Sequence, residues 1–160
     1  MLEGIHWIAG DKVTGSNLFY ASNPSTAEKL EPGFPEGTSE HVETAVSEAL
    51  KVHEQRHLFP EEVRIRLLKT IARNLQEMLP QIQQRGVLET GLPEGRFEAE
   101  MGRTCQQLLS FAETVESGFF REPVLQSADP DRSPLPRPDL RRRMIPLGPI
   151  AVFGASNFPL

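Results

Sequence analysis

The chain has 160 residues, 17 Lys and Arg against 22 Asp and Glu, a formal net charge of −5, and 38% hydrophobic residues. That composition fits one soluble globular domain, or a large piece of a longer one, rather than a disordered chain, and its acidic balance argues against a surface built to grip nucleic acid. The single cysteine excludes an intrachain disulfide and fits a reducing compartment. The opening Met1-Leu2-Glu3-Gly4-Ile5-His6 lacks the basic and apolar regions of a signal peptide. No apolar run approaches the roughly 20 residues of a membrane span. A soluble cytoplasmic protein is expected, with neither membrane nor nucleic acid as partner.

In chain order, His6-Trp7-Ile8-Ala9 and Asn17-Leu18-Phe19-Tyr20 read as short strands, with turn chemistry at Gly10-Asp11 and Thr14-Gly15-Ser16 and a further turn at Asn23-Pro24-Ser25. Thr38 or Ser39 is positioned to cap a helix whose Val42, Ala45, Val46, Ala49 and Leu50 follow the spacing of one buried face. Pro60 opens a second helix, with an apolar stripe through Leu67, Leu68, Ile71, Ala72, Leu75, Met78 and Leu79. Pro80 predicts the start of a third, short helix ended by Gly91. Pro93 opens a fourth, with its stripe at Phe97, Met101, Cys105, Leu108, Ala112 and Val115 and a stop at Gly118.

The texture then changes. Residues 1–120 carry 11 basic and 18 acidic side chains, whereas residues 121–160 carry 6 and 4. Pro123, Pro130, Pro134, Pro136 and Pro138 mark an extended surface connection. Beyond it, Arg141 to Ile145 reads as an exposed strand. Ile150-Ala151-Val152-Phe153, bounded by Gly148-Pro149 and Gly154, reads as a strand buried on both faces, as in a parallel sheet. Such a strand needs neighbours that this chain does not supply, so the sequence reads as cut off. The predicted organisation is 1–120, strands and helices; 121–140, the proline-rich connection; and 141–160, a strand and the start of a sheet.

Three strings bear on chemistry. His53-Glu54-Gln55-Arg56-His57 fits H-E-x-x-H, and Glu77 follows at a distance suited to a third zinc ligand. Arg56 is a charge where a buried zinc-site helix keeps uncharged residues, and Pro60 interrupts the helix just beyond; both favour two histidines at the packed end of an amphipathic helix and no metal. Cys105 lies on an apolar stripe between Met101 and Leu108 with no histidine nearby in sequence, which favours a buried core thiol over a nucleophile. The third string, PLGPIAVFGASNFPL from Pro146 to Leu160, runs from a strand into a glycine turn and presents Ser156 and Asn157 where open α/β sheets place ligands. An asparagine amide there donates to a developing oxyanion without adding charge; the alternative is an ordinary turn asparagine.

That last string resembles the strand and oxyanion-asparagine segment of the aldehyde dehydrogenase superfamily. HWIAGDKVTG, NPSTAEKL and ETGLPEGRFEAEMGRT resemble, in the same order, that family's opening strand and turn, its N-P-A-T-G-E segment and its E-T-G-K-P region. The combination of ETGLP, GRT and QLLSFAE with VFGASNFPL most resembles the branch of 2,5-dioxovalerate (α-ketoglutarate semialdehyde) dehydrogenases and an NADP-dependent fatty aldehyde dehydrogenase. Many family members carry a longer turn with a tryptophan before the asparagine, where this chain has Gly154-Ala155-Ser156.

The resemblance implies an α/β, aldehyde dehydrogenase-like fold: the N-terminal part of a Rossmann-type nucleotide-binding domain, mainly helical in this segment. It implies NADP or NAD as cofactor, with Phe153, Gly154, Ala155 and Ser156 at the nucleotide. It implies a small aldehyde as substrate and a homo-oligomeric full-length protein, dimer or tetramer. In such an enzyme a cysteine thiolate attacks the aldehyde, hydride passes to the nicotinamide, and water hydrolyses the thioester. Asn157 would hold the substrate oxyanion. The resemblance places the catalytic cysteine, the general-base glutamate and a ribose-contacting lysine beyond the equivalent of Leu160. The alternative from another class is a non-catalytic helical interaction module.

Overall fold

Two hairpins occupy the first 35 residues of the computed structural model, which describes residues 2–155 and 157–160. Strands β1 (His6–Ile8) and β2 (Asp11–Val13) pair antiparallel through Ala9-Gly10. Both loop residues have positive φ, 55° and 92°, the condition that lets a two-residue turn match the twist of its strands. Strands β3 (Leu18–Ser22) and β4 (Lys29–Pro35) form the second hairpin, with a register irregularity between Phe19 and Ala21. Its loop is closed by the Asn23 side chain, which accepts from the Ser25 N–H at 2.9 Å. The anticipated strands near residues 6 and 18 are present. Their partners β2 and β4 escaped the sequence reading because Asp11-Lys12-Val13 is too short to show alternation and Glu31-Pro32-Gly33 reads as a breaker.

Helix α1 (Ser39–Glu54) starts where the capping chemistry predicts: the Thr38 hydroxyl accepts from the His41 N–H at 3.2 Å, and the Thr38 N–H donates to His41 Nδ1 at 3.4 Å. Its apolar stripe, expected to be buried, is exposed instead, with Val42 at 60% and Val46 at 53%. No residue of α1 is buried, because among the described residues nothing packs along that face.

Helix α2 (Glu61–Thr90) follows Pro60 and ends at Gly91, whose φ of 70° closes it with a left-handed cap. The expected break at Pro80 does not occur: one helix of 30 residues runs through it, so the segment contains three α-helices rather than four. Proline removes one backbone donor and crowds the preceding turn. The opposing effect is packing. Continuing the helix keeps Leu75, Leu79 and Ile82 on one face against the core, and a break would rotate Ile82 away. Helix α3 (Glu94–Ser117) runs from Pro93 to the left-handed cap at Gly118. Phe97, Met101, Cys105 and Ala112 of the expected stripe are buried, and the core forms where Met101 and Cys105 meet Ala72 of α2.

The start of α2 is joined to the 3₁₀ turn Phe119–Arg121 that follows α3 by an ion pair between Glu61 and Arg121, and the Arg121 carbonyl accepts from the Met144 N–H at 3.0 Å. The Arg121 hydrogen bond is the main reason the Glu61 carboxyl is held below its ordinary range, with the Arg121 and Arg64 charges adding to it. A carboxylate depressed in the folded state contributes stability above its unfolded pKa, and that contribution is lost as the pH falls through the folded value. Acid titration of Glu61→Gln, followed by thermal unfolding, is therefore expected to show a shallower loss of melting temperature at low pH than the parent chain; identical slopes would contradict the assignment.

The proline-rich stretch is exposed, as expected, but it is more than a connection. Strand β5 (Val124–Gln126) pairs antiparallel with β6 (Leu140–Arg142); Pro130, Pro134, Pro136 and Pro138 lie in the loop between them, and Pro123 immediately precedes β5. Asp129 and Arg137 exchange backbone hydrogen bonds at 2.8 and 2.9 Å within that loop. The strand anticipated at Ile150 to Phe153 is a correction. Those residues belong to no strand, and Ile150, Val152 and Phe153 are 74%, 87% and 92% exposed. A strand exists only as one side of a ladder, and no ladder partner for this run is present among the described residues. No described helix is long and apolar enough to cross a membrane.

Candidate functional site

The expected site residues lie at the end of the exposed run that follows β6. Phe153, Gly154 and Ala155 have no regular structure beyond a single bridge, are exposed, and leave open space where a Cβ on Gly154 would point. They offer an accessible edge of backbone to a ligand rather than an enclosed cradle. Ser156, the fourth expected nucleotide contact, lies outside the described residues.

Asn157 is placed more firmly. A tight turn closes around it, with the Phe158 N–H donating to the Ala155 carbonyl at 3.3 Å. Its own carbonyl accepts from Nη2 of Arg96 at 3.0 Å, so α3 holds its backbone while its side chain stays exposed. Two residues on, the Leu160 N–H donates to Glu100 Oε2 at 3.3 Å, and the Leu160 side chain packs against the α2–α3 core. Glu100 is 3% exposed and also accepts from Nε of Arg96. The Phe158 ring lies near two guanidiniums, 5.0 Å from Arg96 and 4.8 Å from Arg103.

Sequence reading missed these α3 residues. Glu100 occupies an apolar-stripe position between Phe97 and Met101, and Arg96 precedes it by one helical turn. A buried carboxylate four residues from an arginine was the available signal.

The other candidates resolve as follows. The two histidines of H-E-x-x-H do not share a helix face. Helix α1 ends at Glu54, Gln55 caps it, and His57 sits on the separate 3₁₀ turn Arg56–Leu58. The expectation of a packed helix end also fails there, since His57 is exposed. Glu77 is on an outer face of α2 and pairs with Arg73 at 4.0 Å. Cys105 is a core thiol: it donates to the Ala72 carbonyl at 3.4 Å and lies 3.7 Å from Met101 Sδ. Buried there, it lacks the access that a nucleophile needs.

The sequence profile of the aldehyde dehydrogenase family matches residues 7–160, and the chain belongs to that family. Among curated relatives it is 38% identical over 161 residues to alpha-ketoglutaric semialdehyde dehydrogenase 2 of Azospirillum brasilense, covering 99% of this chain and 31% of that protein. It is 39% identical over 127 residues to alpha-ketoglutaric semialdehyde dehydrogenase of Acinetobacter baylyi, covering 79% of this chain and 24% of that one. The chain thus spans about a third or less of the length of these relatives.

Several solved structures share the fold, two of which illustrate it. One is an NAD-dependent benzaldehyde dehydrogenase from Corynebacterium glutamicum (TM-score 0.69, 17% identity, 79% of this chain and 27% of that one). The other is a point mutant of betaine aldehyde dehydrogenase from Staphylococcus aureus in complex with NAD+ (TM-score 0.70, 23% identity, 82% and 27%).

Proposed function

We propose that the intact protein oxidises an aldehyde to a carboxylic acid with NAD or NADP, and that this segment contributes its oxyanion donor, Asn157. The observation that carries the reading is the placement of Asn157: its backbone is fixed to α3 through Arg96 while its side chain stays exposed to a substrate. Attack on an aldehyde converts a carbonyl oxygen into an alkoxide, so negative charge appears where the ground state had only a dipole. An amide held at that point stabilises the transition state more than the substrate, which lowers the barrier.

The bound nicotinamide supplies the hydride acceptor. Phe153, Gly154, Ala155 and Ser156 border the nucleotide in this reading. The aldehyde is 2,5-dioxopentanoate and the product 2-oxoglutarate, a reading supported by the names of the Azospirillum and Acinetobacter relatives. The intact protein assembles as a homo-oligomer and acts in the cytoplasm.

The 160-residue chain by itself carries no accessible thiol, since its one cysteine is in the core. The purified chain is expected to give no reduced nucleotide when mixed with aldehydes and NAD or NADP, whereas the intact protein gives it readily. Turnover by the 160-residue chain, measured by nucleotide absorbance, would overturn both this assignment and the structural role of Cys105.

A further inference from the structure

The oxyanion reading of Asn157 leaves open what holds the residue in place once the segment before it is irregular and exposed. We propose that Arg96 and Glu100 are positioning residues for Asn157, acting as a two-point clamp between α3 and the 157–160 segment. This rests on the oxyanion reading above.

The clamp has two ends. At one, the Arg96 guanidinium spans two acceptors, giving Nη2 to the Asn157 carbonyl at 3.0 Å and Nε to the Glu100 carboxylate. At the other, the second oxygen of Glu100 accepts the Leu160 N–H at 3.3 Å. The carboxylate therefore fixes the arginine with one oxygen and the chain beyond Asn157 with the other. Phe158 lies beside Arg96 and Arg103, so the residue between the two anchor points is also held to α3.

Burial explains why a charge sits there at all. Glu100 is 3% exposed on the apolar face of α3, and burying a carboxylate is costly unless it is paired and hydrogen-bonded. Both conditions are met by groups that otherwise serve only to attach the 157–160 segment. Helix packing alone does not require this charge, since the rest of the stripe is apolar. A planar guanidinium suits the task because its fork engages two acceptors in a fixed geometry, which an ammonium does not.

An amide that must meet an alkoxide within hydrogen-bond distance is sensitive to small displacements, and a shift of about 1 Å costs on the order of 100-fold. In the intact enzyme, Arg96→Met is expected to slow single-turnover hydride formation by about 10–100-fold while leaving the aldehyde KM and nucleotide affinity little changed. Arg96→Lys, which keeps the charge but gives up the fork, is expected to recover part of that loss and to serve where the Met variant does not fold. In an Asn157→Ala background, Arg96→Met and Arg96→Lys are expected to cause no further loss, because residues acting through one group are not additive. A wild-type rate in Arg96→Met, or the same fold-loss in both backgrounds, would overturn the positioning role.

The clamp has a readout independent of activity. Amide exchange at Leu160 is expected to quicken by about tenfold or more in Glu100→Ala, and unchanged exchange would overturn it. If Asn157→Ala left the rate intact, the oxyanion reading and the positioning role would fall together. Exchange at Leu160 would still decide whether the clamp exists.

Discussion

On the oxyanion reading of Asn157, replacing it by alanine in the intact protein is expected to slow the single-turnover formation of reduced nucleotide by about 10²–10³, or roughly 3–4 kcal/mol, the cost of deleting one oxyanion donor. The loss belongs in the rate of the chemical step and not in substrate affinity, because the interaction is made with charge that exists only after attack begins. Asn157→Asp is expected to be no better than Ala. It removes the donor and places a like charge beside the alkoxide. Neither change is expected to disturb the turn, whose bond joins Phe158 to Ala155, or the clamp, which binds the residue-157 carbonyl rather than its side chain. Near-wild-type hydride transfer in Asn157→Ala would return the residue to the role of a turn asparagine.

The largest stability effect is expected at the closest approach of the two long helices. Phe97 on α3 is 1% exposed, and its ring lies so near Gly86 of α2 that a Cβ added there would fall 2.2 Å from it. Glycine at 86 costs helix propensity, about 1 kcal/mol relative to alanine, but it provides the room the ring occupies. Phe97→Ala removes the ring and leaves a cavity between α2 and α3, with an expected loss of about 3–5 kcal/mol. That is a large fraction of the 5–15 kcal/mol typical of a folded domain. Gly86→Ala sets the propensity gain against overpacking of about 1–3 kcal/mol, and the overpacking is expected to win. Urea unfolding of both variants reads these values. A loss under about 1 kcal/mol for Phe97→Ala would mean that the helices do not meet there.

What the sequence made legible was local chemistry. Thr38 capped α1, Pro60 and Pro93 preceded α2 and α3, and Gly91 and Gly118 ended them, because each supplies or removes a specific backbone group. The stripe from Phe97 to Ala112 was correct because its face meets α2 inside this chain. The same periodicity misled in α1, where the stripe has the right spacing and nothing to pack against. Pro80 misled in the opposite direction. Its local cost is real, but the packing of Leu75, Leu79 and Ile82 on both sides outweighs it.

Ile150 to Phe153 had the composition of a buried strand, and composition does not supply the neighbours that make one. The motif singles out Asn157 as the candidate oxyanion donor, whereas no motif points to Arg96 or Glu100. Their significance comes from meeting residues about 60 positions away, a contact that no local spacing encodes.

The measurement that tests the account most directly is product analysis on the intact protein supplied with 2,5-dioxopentanoate and NAD or NADP. The account predicts that the aldehyde disappears as 2-oxoglutarate and reduced nucleotide appear in equal amounts. Unchanged aldehyde with both nucleotides, in a folded preparation of the intact protein and across a panel of other aldehydes, would contradict it.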